Sequence, residues 1–116
     1  MILEFNSARE ILLVRIKGEM DMATAGQIRQ SIDNRLQQEK IRYLLLDLSG
    51  VTFIDSSGIG VILGRYRNLN RTGGKTAIIK PQVVVKRVLE TAGLQKLIPI
   101  CDNEGECLRL LTGANH

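Results

Sequence analysis

Asp55, Ser56, Ser57 and Gly58 follow the apolar run Tyr43, Leu44, Leu45, Leu46, Asp47, Leu48 and precede the helix-patterned stretch Ile59 to Leu69. A serine between a strand and a helix is where an α/β-hydrolase carries its nucleophile, so acyl hydrolysis is the first chemistry to test. The G-x-S-x-G pattern is missing. Two residues before Ser57 stands Asp55, and two before Ser56 stands Ile54, so neither serine has the glycine that lets the strand turn sharply. The only histidine is the terminal His116, with no carboxylate to orient it, and no S-x-x-K pattern brings a lysine beside either serine. The chain is therefore expected not to be an enzyme.

Two other constellations fail in the same way. "TGGKT" at 72–76 has part of a phosphate-binding loop, but the pattern needs glycine where Leu69 stands and must lead from a strand into a helix. Here a helix leads into a strand. One terminal His and two Cys make no convergent ligand set, so no metal and no cofactor are expected. Cys101 and Cys107 match neither a redox pair nor a zinc knuckle, and read as reduced structural residues.

What the stretch does suit is negative charge at a helix N-terminus, where unpaired N–H groups and the positive end of the helix dipole converge. Asp55 or Ser56 can cap the helix. With Ser56 as cap, Ser57 sits in the first turn with an accessible hydroxyl, and a phosphoryl group there would add about −1.5 to −2 charge at a place the helix tolerates. A docked partner would not tolerate it. Gly58 and Gly60 leave room for an approaching protein, and Gly60 and Gly64 flatten the outer helix face, to which Val61 adds an apolar contact. The residues expected to meet a partner are Asp21, Asp55, Ser56, Gly58, Gly60, Val61 and Gly64. A nucleotide- or phosphate-binding protein using the same terminus at Ser57 is the alternative.

These residues must be positioned by a small scaffold. The 116 residues suffice for one domain, 1–116, and with aromatic residues at 3% the core must be aliphatic. "ILEFN" and "ILLVRIKG" around "SARE" predict an N-terminal β-hairpin whose second strand Gly18 ends. Ile28, Ile32 and Leu36 recur through 22–38 at helical spacing, and "IRYLLLDLSGV" predicts a strand buried on both faces. On the following helix Ile59, Ile62, Leu63, Tyr66 and Leu69 share one stripe, leaving Gly60, Val61, Gly64, Arg65 and Asn68 on the other side. A strand at 76–79, a helix with Pro81 in its first turn and Gly93 at its end, an edge strand at "LIPIC" and a helix from 104 to 111 complete the chain.

The order predicts an α/β fold, one domain with a mixed, mostly parallel sheet, an N-terminal β-hairpin and about four helices. Successive parallel strands deliver Glu19, Asp21, Asp55, Ser56, Ser57 and Gly58 to one sheet edge. Sixteen basic against twelve acidic residues give a net charge of +4, which points to an acidic partner, while two Phe, two Tyr and no Trp argue against nucleic-acid binding. No apolar run reaches the roughly 20 residues that cross a bilayer, and the start carries no secretory pattern. A cytoplasmic protein without a membrane partner is expected.

"GEMD" at 18–21, "LLLDLSGVTFIDSSGIGVILGRYRNL" at 44–69 and "VKRVLETAGL" at 85–94 closely resemble the STAS-domain anti-sigma factor antagonists of endospore-forming bacteria. The resemblance covers nearly the whole chain. It implies a protein without catalysis of its own, whose unphosphorylated form binds an anti-sigma factor that is also a serine kinase and so releases the sigma factor. It implies that the kinase phosphorylates Ser57, the second serine of the pair, and that a serine phosphatase restores binding. Asp21 matches the family's acidic position beside that serine.

Overall fold

The computed structural model describes residues 1–113; His116, the histidine of the sequence, lies outside the described residues. Strands β1 (Ile2–Ala8) and β2 (Ile11–Met20) form an antiparallel hairpin, followed by α1 (Met22–Gln38), β3 (Tyr43–Ile54), α2 (Ser56–Asn70), β4 (Lys75–Ile79), α3 (Val83–Thr91), a 3₁₀ turn (Leu94–Lys96), β5 (Ile100–Cys101) and α4 (Glu104–Thr112). The five strands lie side by side in chain order, with β2 to β5 mutually parallel. This is the mixed α/β fold expected from the sequence.

The core follows the strand alternation. Leu12, Val14 and Ile16 of β2 and Leu44, Leu46 and Leu48 of β3 point to one face, where they meet Ile28 and Ile32 of α1, Ile59 and Ile62 of α2, and Val85 and Leu89 of α3. Leu13, Leu45, Ala77 and Ile79 point to the other face and pack with Cys107 and Leu111 of α4. Three helices on one face are the consequence of three right-handed crossovers running in one direction across the sheet.

Local chemistry moves several boundaries. The hairpin turn is only Arg9 and Glu10, both with positive φ (51° and 68°), so Ser7 and Ala8 of "SARE" belong to β1, paired with Leu12 and Ile11. Gly18 does not end β2. It takes φ 110° at an irregularity in the pairing with β3, and the strand continues to Met20. Helix α2 begins three residues before the apolar stripe at Ile59, because its cap is Asp55. Pro81 lies before the Gln82 cap of α3, not in the first turn. "LIPIC" forms only a two-residue strand, since Leu97 closes the preceding 3₁₀ turn.

The cysteines are buried free thiols. Cys107 Sγ lies 3.7 Å from the Ile78 carbonyl oxygen, and burial, the largest influence, pushes both thiols up from their ordinary range. A thiol that ionises less readily when folded keeps its proton while the unfolded chain loses it, so its contribution to stability declines as pH rises through the unfolded value near 9. Urea unfolding at pH 8 and pH 10 should show wild type losing more stability than Cys107→Ala. Equal losses would contradict the linkage.

Candidate functional site

The site is the edge of the sheet where β2 and β3 end. Met20 and Ile54 are register partners there, and each strand runs directly into a helix whose cap is an aspartate. Asp21 caps α1: its Oδ1 accepts from Ala23 N (3.0 Å) and Thr24 N (3.1 Å), and the Thr24 hydroxyl oxygen accepts from Asp21 N (3.0 Å), a reciprocal capping box. Asp55 caps α2 in the same way, with Oδ1 accepting from Ser57 N (2.8 Å) and Gly58 N (3.3 Å). Two carboxylates thus sit side by side, each facing the positive end of a helix.

Asp55, not Ser56, is therefore the cap, because a carboxylate accepts from both free N–H groups at once whereas Ser56 is already the first helical residue. Ser56 is exposed and Ser57, in the second helical position, is half-buried. No hydrogen bond engages the Ser57 hydroxyl among the described residues. The Ser57 and Gly58 amides that a free phosphate would need are occupied by Asp55, which disfavours the nucleotide-binding alternative at this terminus.

Gly58 faces inward. A Cβ there would lie 2.6 Å from the Met20 carbonyl oxygen and 2.7 Å from Ile54 Cγ1, so its small size lets α2 start against the end of β2 and leaves no space for an incoming protein. The same Met20 oxygen accepts the Asp55 N–H at 3.2 Å. Val61 also corrects the sequence reading: it is 5% exposed and belongs to the core, and Arg65, equally 5% exposed, pairs through Nε with Asp33 Oδ1 of α1 at 2.9 Å. The reason is that α2 packs on α1 as well as on the sheet, so a second flank is covered. What remains outward is a narrow stripe from Ser56 and Ser57 through Gly60 and Gly64 to Arg67 and Asn68. A Cβ at Gly60 or Gly64 would meet nothing within 4 Å.

The sequence left two neighbours of this edge unnoticed. A shallow, mostly apolar groove of about 380 Å³ runs between the start of α2 and α3, lined by Ser56, Ile59, Arg87, Val88, Thr91 and Ala92. Met22, the residue after Asp21, and Phe53, two residues before Asp55, are large apolar side chains left exposed. The signal was present in "VVVKR", where three consecutive valines exceed what one helix face can bury: Val85 is buried while Val83 and Val84 are exposed.

Comparison with known proteins matches residues 3–107 to the STAS domain. The chain belongs to the STAS family. Within that family it is 40% identical over 106 residues to an anti-sigma F factor antagonist of Paenibacillus polymyxa, covering 91% of each chain. The solved structure of the anti-sigma factor antagonist SpoIIAA in its unphosphorylated form superposes with a TM-score of 0.83 at 28% identity, covering 97% of both chains. The Bacillus SpoIIAA in its phosphorylated form gives 0.73 at 27% identity, over 94% of this chain and 98% of that one. This STAS chain shares the architecture of regulatory binding proteins, and among its described residues no helix is long and apolar enough to cross a membrane.

The two kinds of glycine on α2 predict opposite outcomes. Gly58→Ala should destabilise the fold by about 1–3 kcal/mol through overpacking against Met20. Gly60→Ala, in open space, should stabilise it by about 0.5–1 kcal/mol through helix propensity. Denaturant unfolding measures both, and shifts of the same sign would contradict the placement.

Proposed function

We propose that this chain is an anti-sigma factor antagonist that works as a binding module switched by phosphorylation of Ser57. The unphosphorylated form binds an anti-sigma factor carrying serine kinase activity and frees the sigma factor; phosphate on Ser57 ends binding, and a serine phosphatase restores it. The chain itself performs no catalysis and acts in the cytoplasm. The observation that carries this reading is the position of Ser57, an unengaged hydroxyl on the second residue of α2, beside the helix-capping Asp21 and Asp55 and at the head of the outward stripe formed by Gly60 and Gly64.

The electrostatics support a switch that leaves the fold alone. A phosphoryl group on Ser57 adds about −1.5 to −2 charge near a helix N-terminus, where the dipole offsets part of its cost. A partner covering the same edge must strip water from that charge beside two carboxylates, and like charges brought together in an interface cost several kcal/mol. Gly60 and Gly64 let the partner's backbone approach α2, while Met22, Phe53 and the α2–α3 groove offer apolar contact around the serine. Arg87 on the groove's rim offers a cation to an acidic partner group.

Incubation with the anti-sigma factor kinase and ATP, followed by mass spectrometry, should place phosphate on Ser57. Modification at Ser56, or none, would remove the assignment. Ser57→Ala should keep wild-type affinity for the kinase and resist inactivation, while Ser57→Asp should bind at least about tenfold more weakly. Equal affinities of the two variants would contradict the charge mechanism.

A further inference from the structure

The two lateral borders of the sheet are finished differently. On one side the last strand, β5, is two residues long and leads into α4, so little backbone is left unpaired there. On the other side β1 is seven residues long and pairs with β2 in an unbroken register, from Ile2 with Lys17 to Ala8 with Ile11. Border strands of that length are commonly protected by a lysine, a proline or a bulge that stops them pairing with another chain. Ile2–Ala8 has none of these.

The turn fixes which backbone groups face outward. Arg9 and Glu10 form a tight turn with positive φ, so the flanking pair Ala8 and Ile11 exchanges both hydrogen bonds, and by alternation so do Asn6, Glu4 and Ile2 with their partners. Leu3, Phe5 and Ser7 therefore turn their N–H and C=O groups away from β2, where no hydrogen bond engages them among the described residues. Their side chains lie on the α1 face, and Leu3 and Phe5 are only partly buried. Helix α1 reaches β1 through Arg35, which lies 4.9 Å from the Phe5 ring centroid and donates to Ser7 Oγ at 3.3 Å, while its packing is on β2 and α2.

An unpaired ladder takes a strand, and this one is complementary to itself. With a twofold axis at Phe5, perpendicular to the sheet, the outward groups of Phe5 pair with those of Phe5 in a second copy, and those of Leu3 with those of Ser7. On the opposite face Glu4 meets Asn6, and the exposed Ile2 meets Ala8. No like charges stand directly opposite one another within Ile2–Ala8. The two Glu4 carboxylates fall on a diagonal, and each is already held by Lys17 of its own copy at 2.9 Å.

We propose that the chain forms a twofold dimer by antiparallel pairing of β1 with β1 of a second copy, in the register that sets Phe5 against Phe5. One strand pair is a small interface, so the dimer is weak and forms above roughly 0.1 mM. The twofold axis reverses strand direction, so the Ser57 edges of the two copies point to opposite ends of the joined sheet and both stay open. Dimerisation is therefore independent of the switch.

Sedimentation equilibrium of the untagged chain between about 20 µM and about 1 mM should show a monomer–dimer equilibrium, and Ser57→Asp should give the same constant. Asn6 is exposed, so substitution there tests the register without touching the core. Asn6→Lys, opposite Glu4, should tighten the dimer about fivefold and Asn6→Glu should weaken it about fivefold, because the twofold axis repeats the pair. Raising the concentration should slow amide hydrogen exchange at Leu3, Phe5 and Ser7 and leave Glu4, Asn6 and Ala8 unchanged. A monomer at about 1 mM, equal constants for the two Asn6 variants, or concentration-dependent exchange centred on α2 or α4 would each overturn the proposal. So would a chain that stays monomeric and protects the same amides only against an added peptide of alternating valine and threonine, which would make β1 a receptor for a foreign strand.

Discussion

The candidate site depends on one close approach: the carbonyl of Met20, at the end of β2, held against Gly58 and hydrogen-bonded to the N–H of Asp55. That oxygen belongs to one strand and both of its neighbours to the next strand-to-helix junction. Its contacts therefore fix the start of α2 relative to the start of α1, since Asp21 follows Met20 directly. Any side chain at Gly58 forces the two junctions apart. The buried register partners Met20 and Ile54 hold the same spacing from below. The site needs no loop of its own, because two parallel strands ending side by side create it.

Into that fixed edge the chain places two aspartates whose carboxylates are consumed by helix caps. Each offsets a helix terminus, so the edge is electrostatically settled before any modification. A further negative group on Ser57 then has the dipole of α2 to stabilise it and Asp55 to oppose it. In the proposed switch, this balance lets the folded chain accept a phosphate that an interface would reject. The pair of buried Arg65 and half-buried Asp33 plays a different part, joining α2 to α1 on the flank away from the serine. Burial lowers the Arg65 pKa, and the Asp33 carboxylate opposes that shift.

Most of the scaffold was legible from periodicity. The 22–38 helix and the buried strand followed from apolar spacing, and the parallel order followed from the alternation of elements. The structure departs from the sequence reading where side-chain identity alone is ambiguous. Ser56 and Asp55 are both good caps, and only the backbone position decides for Asp55. Val61 and Gly60 are neighbours on the helix, and the outward face could not be assigned without knowing that α1 covers a second side. Gly58 permits both open space and tight contact by sequence; the carbonyl of Met20 selects the second. Arg87 carries no motif and enters the site only because α3 lies beside α2.

In the proposed switch the edge is prebuilt and phosphate acts on it by charge. This is tested most directly by comparing ¹H–¹⁵N spectra of the chain with serine and with phosphoserine installed at position 57. A prebuilt edge predicts shifts confined to the residues around Asp21–Thr24 and Asp55–Gly60, with the resonances of β4 and α4 unmoved. Shifts spread through the sheet and α4, or loss of spectral dispersion, would contradict it and make the switch a refolding event.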